Sequence, residues 1–183
     1  MRTLAAVTTT IFFLAQPVLA GFERWTYEVE TDPFTKGTRV TVDYLASIRE
    51  AVLVFCDSSQ AGVTIRIVPG WEGEASAFDV FSGAAIAVDG EVLEVSLADA
   101  ATGSVGSGQV TAEIYLRGED AKLFLESFTG ARSELGFKDG ISSAALIVSA
   151  NGSTAAGEQL LACYNAQEGS VERSAIQESA STE

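Results

Sequence analysis

The 183-residue sequence contains no histidine. Histidine is the usual general base at neutral pH, the partner of Ser and Cys nucleophiles, and the commonest transition-metal ligand. The sequence also lacks a phosphate-binding GxxxxGK[ST] motif, and the glycine-rich segment 103–108 is not followed by the strand-to-helix context of a nucleotide site, so we interpret residues 99–108 as a flexible loop. These absences argue against most enzyme classes, and we expect neither a cofactor nor a bound metal.

Basic residues are scarce as well. The chain has 11 Lys and Arg against 25 Asp and Glu, and its formal net charge is −14. Nucleic acid and anionic lipid attract positively charged surfaces. We therefore do not expect a chain this acidic to bind either of them. The composition suits a soluble exported protein, or one whose partner is basic.

The first twenty residues have the pattern of a cleavable signal peptide. Arg2 is followed by the uncharged stretch 3–18, and Val18 and Ala20 occupy the −3 and −1 positions of a signal peptidase site before Gly21. An N-terminal membrane anchor is the alternative, but threonines, Gln and Pro interrupt the apolar run. We therefore expect cleavage between Ala20 and Gly21, a periplasmic or secreted location, and no membrane insertion afterwards.

Cysteine is limited to Cys56 and Cys163. An even count in an oxidising compartment favours a disulfide, with two separate buried thiols as the alternative. The bond would join an early strand to the C-terminal segment. An oxidised pair would also leave no thiol nucleophile and no cysteine ligand for zinc.

Apolar and polar residues alternate along much of the chain from Trp25 to Leu116, which is typical of β-strands. Trp25 lies on the apolar side of its strand and is predicted to be a core residue. The run Ala51–Cys56 is apolar on both faces and predicts a central strand. The other predicted strands are 25–30, 38–45, 63–68, 84–88, 91–96, 109–116 and 141–148.

Asp89-Gly90 lies between two apolar runs and is a strong signal for a two-residue hairpin turn. Such a turn would pair Val88 with Glu91 and Ala87 with Val92. This register places the larger apolar side chains on one face, as a buried face requires.

Two segments have helical spacing, 119–132 and approximately 154–165. Together the patterns predict a mainly β protein, an antiparallel β-sandwich or barrel-like sheet with two short helices in the C-terminal half. We expect three regions: the signal peptide at 1–20, one exported domain at 21–166, and a disordered acidic and polar tail at 167–183.

Two kinds of residue remain as candidates for function. Trp71, in a predicted loop, is a candidate partner contact, although it could instead cover the edge of the core. Carboxylates could provide the acid–base pair of a glycosidase or bind Ca²⁺, but their spacing singles out no pair and fits no known calcium motif. The candidates are Asp32, Asp43, Asp57, Asp79 and Asp99.

The order of several short motifs resembles that of a known family. These are a Trp near the mature start, Asp32-Pro33-Phe34-Thr35, Leu53-Val54-Phe55-Cys56, Lys122–Leu125, and a helix ending at Cys163. Over roughly residues 25–164 this order is similar to the VasI-like exported proteins associated with type VI secretion and, more loosely, to the invasion-associated locus B proteins. The resemblance implies a small periplasmic β-domain without known catalysis.

Three functions follow as hypotheses. The first is a non-catalytic exported domain that binds a protein or a cell-envelope component through its loops or an open sheet edge. The second is a carboxylate-dependent hydrolase acting on envelope glycans. The third is a structural accessory component of a secretion apparatus.

Overall fold

The computed structural model describes residues 22–34, 36–70, 84–93, 100–106, 108–140 and 145–180, with side chains as far as residue 167. The described chain is mainly antiparallel β-structure, arranged in two sheets with two helices, as predicted. Its elements are β1 Thr26–Thr31, β2 Thr38–Leu45, β3 Glu50–Asp57, β4 Val63–Pro69, β5 Ala84–Val88, β6 Glu91–Val92, β7 Ala100–Val105, β8 Gln109–Leu116, α1 Gly118–Gly130, β9 Glu134–Asp139, β10 Leu146–Ser149 and α2 Ser153–Ala180.

The larger sheet has six strands in the order β1-β2-β3-β4-β8-β7. Its register aligns Val42, Val54, Ile65 and Ile114 across four neighbouring strands, and all four side chains are fully buried. Alternate residues of a strand point to opposite faces. One face of this sheet, which we call the inner face, therefore faces the core, and the other, the outer face, carries the polar residues of the alternation.

The smaller sheet has the strand order β10-β9-β5-β6. Its β5–β6 hairpin has the predicted register, with Val88 opposite Glu91 and Ala87 opposite Val92. Asp89 and Gly90 have φ values of 52° and 87°, and positive φ at both turn residues is the geometry that Asp-Gly favours.

Asp89 also ties this hairpin to the chain that leaves α1. Its carboxylate accepts hydrogen bonds from the backbone N–H groups of Arg132, Ser133 and Glu134 and from the Ser133 hydroxyl. These bonds hold the pKa of Asp89 well below its usual range, and the two from Ser133 have the largest effect. They do so because they stabilise the ionised form of the carboxyl group.

Both helices and the smaller sheet pack into one core with the inner face. Trp25 lies near its centre, only 2% exposed, with its ring against Tyr44, Phe128 and Phe137. Its indole N–H donates to the carbonyl of Ser149 at 2.9 Å. The prediction that Trp25 is a core residue is confirmed. No helix among the described residues is both long and apolar enough to cross a lipid bilayer.

Two strands are present that the sequence did not predict. Residues 99–108 were predicted to be a loop, but β7 pairs with β8 along Ala100–Val105. Its Ala, Thr, Gly and Ser residues carry no apolar alternation, and the strand exists because β8 provides a pairing edge. Strand β9 was not predicted, although Leu135 and Phe137 are buried on it.

The second helix is longer than expected. It begins at Ser153, one residue before the predicted start, and continues past residue 165 to Ala180, through most of the segment assigned to a tail. Gln167, placed in that tail, is only 5% exposed and therefore belongs to the domain. Two other predicted features, the signal cleavage between Ala20 and Gly21 and the candidate contact residue Trp71, lie outside the described residues.

Candidate functional site

The outer face of the six-stranded sheet contains a cavity of about 560 Å³. We call it the outer-face cavity. Five of its residues form one cross-strand row, because the register aligns Glu28, Thr41, Phe55, Thr64 and Tyr115 on β1, β2, β3, β4 and β8. The site is therefore assembled by strand pairing on a rigid sheet. Its other side chains include Glu30, Arg39, Asp57 and Arg117.

Charged side chains around the aromatic residues pair with one another. Arg66 donates through Nε to Glu113 at 2.7 Å, and its guanidinium lies 5.0 Å from the centre of the Phe55 ring. The hydroxyl of Tyr115 donates to the other oxygen of Glu113 at 2.7 Å. This bond and burial raise the pKa of Tyr115. The network fixes the orientation of both aromatic rings before any ligand arrives.

A second ion pair lies at the β1 side of the cavity. Arg39 donates to Asp57 at 3.2 Å, and the Arg39 side chain is 58% exposed whereas that of Asp57 is 21% exposed. The Asp57 carboxylate also accepts from the hydroxyl and the N–H of Ser59. These hydrogen bonds lower the pKa of Asp57, and the bond from the Ser59 hydroxyl has the largest effect. Asp57 is therefore an anion at neutral pH and a poor proton donor.

The turn after β3 forms one wall of the cavity, and two links hold it to α2. The first is the predicted disulfide between Cys56 and Cys163, which is present with a Cα–Cα distance of 6.2 Å. The second is Gln167, one helical turn further on. Its amide nitrogen donates to the carbonyls of Asp57 and Gly62, both at 2.9 Å, and its amide oxygen accepts from the Gly62 N–H at 2.8 Å.

The backbone conformation at position 62 and the space around it require glycine. The φ of Gly62 is 90°, a conformation that suits glycine. An added Cβ would collide with the carbonyl oxygen of Leu116. The Gln167 side chain thus fits a backbone turn that other residues could not easily form.

Replacing Gln167 with leucine is expected to lower the free energy of unfolding by about 1–3 kcal/mol, because the buried polar groups of Gly62 and the carbonyl of Asp57 lose their partner. Urea denaturation followed by circular dichroism measures this difference. Asn165→Leu is the matched control, since Asn165 is exposed on the same helix. Equal stability of the two variants would contradict the structural role assigned to Gln167.

A second cavity, of about 550 Å³, adjoins the first at the β1–β2 turn. Glu30, Arg39 and Asp57 line both cavities. Phe34, 93% exposed, lies on its wall. The two cavities therefore meet at these three residues, on the β1 side of the sheet.

Of the carboxylates that the sequence offered as candidates, Asp32 and Asp57 both line the second cavity, whereas Asp43 lines neither cavity. Asp57 lines the outer-face cavity. Asp43 accepts from the Thr26 hydroxyl at 2.8 Å, and Asp32 accepts from the Phe34 N–H within its turn at 2.7 Å. Asp79 and Asp99 lie outside the described residues. The described part of the chain contains no group of three or more Cys, Asp or Glu side chains that could hold a metal ion.

Sequence reasoning missed Gln167 and the cavity. A signal for Gln167 existed, because it follows Cys163 by four residues and so lies on the same face of a helix. The cavity had no local signal, since Phe55, Thr64 and Tyr115 meet only through strand register.

No family model matches the chain, and searches of curated proteins and of solved structures found no match.

Proposed function

We propose that this protein is an exported, non-catalytic domain that binds a protein or a cell-envelope component through the outer-face cavity. The observation that carries the proposal is the composition of that cavity. Aromatic and charged side chains from β1, β2, β3 and β8 line it, and ion pairs in and beside the cavity orient them in advance. Rigid, pre-oriented aromatic and charged groups favour binding, because less conformational entropy is lost when a partner docks.

The charges of the cavity favour binding over hydrolysis. A carboxylate-dependent hydrolase needs one carboxyl group that remains protonated to act as general acid, which usually requires a raised pKa. The pKa of Asp57 is lowered instead, and beside the cavity both oxygens of Glu113 accept hydrogen bonds, one from Arg66 and one from Tyr115. These carboxylates position other side chains and do not resemble an acid–base pair.

The disulfide supports the exported location. Disulfides persist in oxidising compartments such as the periplasm and the extracellular space and are rare in the cytosol. The bond between Cys56 and Cys163 lies beside the outer-face cavity, so oxidation stabilises the turn that forms the cavity wall. An accessory role in a secretion apparatus would be the same binding function, with a component of that apparatus as partner.

The proposal is tested by filling the cavity. Thr64 lies between Phe55 and Tyr115 in the cross-strand row, so Thr64→Arg introduces a long cationic side chain into the cavity. The immobilised protein and this variant are each incubated with an envelope extract, and captured material is quantified. We expect capture by the variant to fall at least about tenfold, equivalent to about 1.4 kcal/mol of binding free energy.

Thr154→Arg is the matched control, because Thr154 is exposed on α2. It makes the same chemical change and should capture as much as the unmodified protein. Capture that is equal for the two variants would contradict the proposed site. Recovery of captured material as cleaved fragments would favour the hydrolase.

A further inference from the structure

Strand β1 forms one edge of the six-stranded sheet. It pairs with β2 along its whole length, Thr26–Thr31, and no other strand in the described part of the chain pairs with its second edge. An edge strand presents a row of N–H and C=O groups that can pair with another strand. Strand addition at such an edge is a common way to recognise an extended peptide.

The two faces of β1 have different chemistry. On the inner-face side, Tyr27 and Val29 remain 42% and 46% exposed, unlike their neighbours Val42 and Val40 in the register, which are at most 1% exposed. On the other side, Glu28 and Glu30 line the outer-face cavity. The edge therefore offers apolar and anionic side chains in strict alternation.

We propose that the partner adds a β-strand to the second edge of β1 and that this strand alternates basic and apolar residues. The inference rests on the proposed function and names the chemistry of its partner. Directly opposed side chains on one face lie within about 5.5 Å of each other. Lysine or arginine side chains of the added strand would therefore meet Glu28 and Glu30, and its apolar side chains would cover Tyr27 and Val29.

A second copy of this chain fits the edge poorly. If two β1 strands paired and continued both faces of the sheet, Glu28 and Glu30 of one copy would lie beside the same residues of the other. Like charges directly opposite each other destabilise a strand pair. The net charge of −14 adds to this repulsion. The anionic edge therefore selects a basic strand.

Two blocked hexapeptides, KVKVKV and EVEVEV, serve as probes. Fluorescence anisotropy measures the binding of each labelled peptide to the whole protein and to the double variant Glu28→Lys/Glu30→Lys. Both glutamates are exposed, so the variant should fold. The control, Glu126→Lys/Glu134→Lys, makes the same charge change at exposed positions on α1 and β9.

We expect KVKVKV to bind the unmodified protein and the control, and to bind the Glu28→Lys/Glu30→Lys variant at least about tenfold more weakly. EVEVEV should show the opposite preference. Binding should weaken with added salt, as exposed charge pairs do. Amide hydrogen exchange should slow along β1 when KVKVKV binds, because the second edge of the strand then pairs with the peptide.

An equal loss of KVKVKV binding in both double variants would overturn the inference, since the attraction would then be to overall charge. Binding without slower exchange in β1 would overturn it too. Sedimentation that shows a dimer with protected β1 amides would assign the edge to a second copy. If the peptides fail to bind but Thr64→Arg still abolishes capture from the extract, the binding site stands and only the added strand is wrong.

Discussion

Replacing both Cys56 and Cys163 with alanine is expected to lower the free energy of unfolding by about 2–5 kcal/mol. The bond joins residues 107 positions apart, and a cross-link across so long a loop removes many conformations from the unfolded chain. Both cysteines are also buried. Chemical denaturation of the oxidised protein and of the double variant measures the difference.

Reduction provides the control for this experiment. Dithiothreitol should destabilise the unmodified protein to nearly the level of the double variant and leave the variant unchanged. Because the disulfide holds the turn beside Asp57, peptide or partner binding should also weaken on reduction. Equal stability of the oxidised and reduced protein would contradict the assigned role of the bond.

Replacing Trp25 with alanine is expected to cost about 3–5 kcal/mol of unfolding free energy. The side chain fills the space between Tyr44, Phe128 and Phe137, so its removal leaves a cavity where the large sheet, the small sheet and α1 meet. Thermal unfolding and urea denaturation report the loss.

Two further substitutions serve as comparisons for the effect of Trp25→Ala on stability. Trp25→Phe keeps a ring but removes the hydrogen bond to Ser149, and it should cost less than Trp25→Ala. Phe34→Ala removes an aromatic side chain that is 93% exposed and should change stability by no more than about 0.5 kcal/mol. A cost for Trp25→Ala as small as that for Phe34→Ala would show that Trp25 is not central to the core.

The elements that could be predicted from the sequence are those specified by local pattern. Strands β2 and β8 have the predicted ends, because alternation along each strand reports which side chains are buried. The β5–β6 hairpin follows from Asp89 and Gly90, whose turn geometry is local. The disulfide followed from the cysteine count and the expected compartment, and needed no knowledge of the fold.

Elements that depend on a distant partner could not be predicted. The small residues of β7 form a strand because β8 lies beside it, and Gly103 leaves room where a Cβ would come within 2.9 Å of the Thr111 hydroxyl. The burial of Gln167 depends on the backbone of the turn at residues 57–62. From its polarity alone, the Gln167 side chain was expected to be exposed to solvent.

The candidate site illustrates the same limit. Each of its strands was predicted, and Asp57 was among several candidate carboxylates, but nothing in the sequence distinguished it. Register across five strands brings Asp57, Phe55 and Tyr115 to one cavity. Trp71, a candidate partner contact because of its predicted loop position, lies outside the described residues and remains a prediction.

The central claim is that the partner docks on the outer-face cavity, and photocrosslinking in the producing cells tests it most directly. A photoreactive phenylalanine analogue replaces Thr64 in one strain and Thr154 in another. Irradiation should give a crosslinked adduct from position 64, inside the cavity, and none from position 154 on α2. An adduct from position 154 with none from position 64 would contradict the claim.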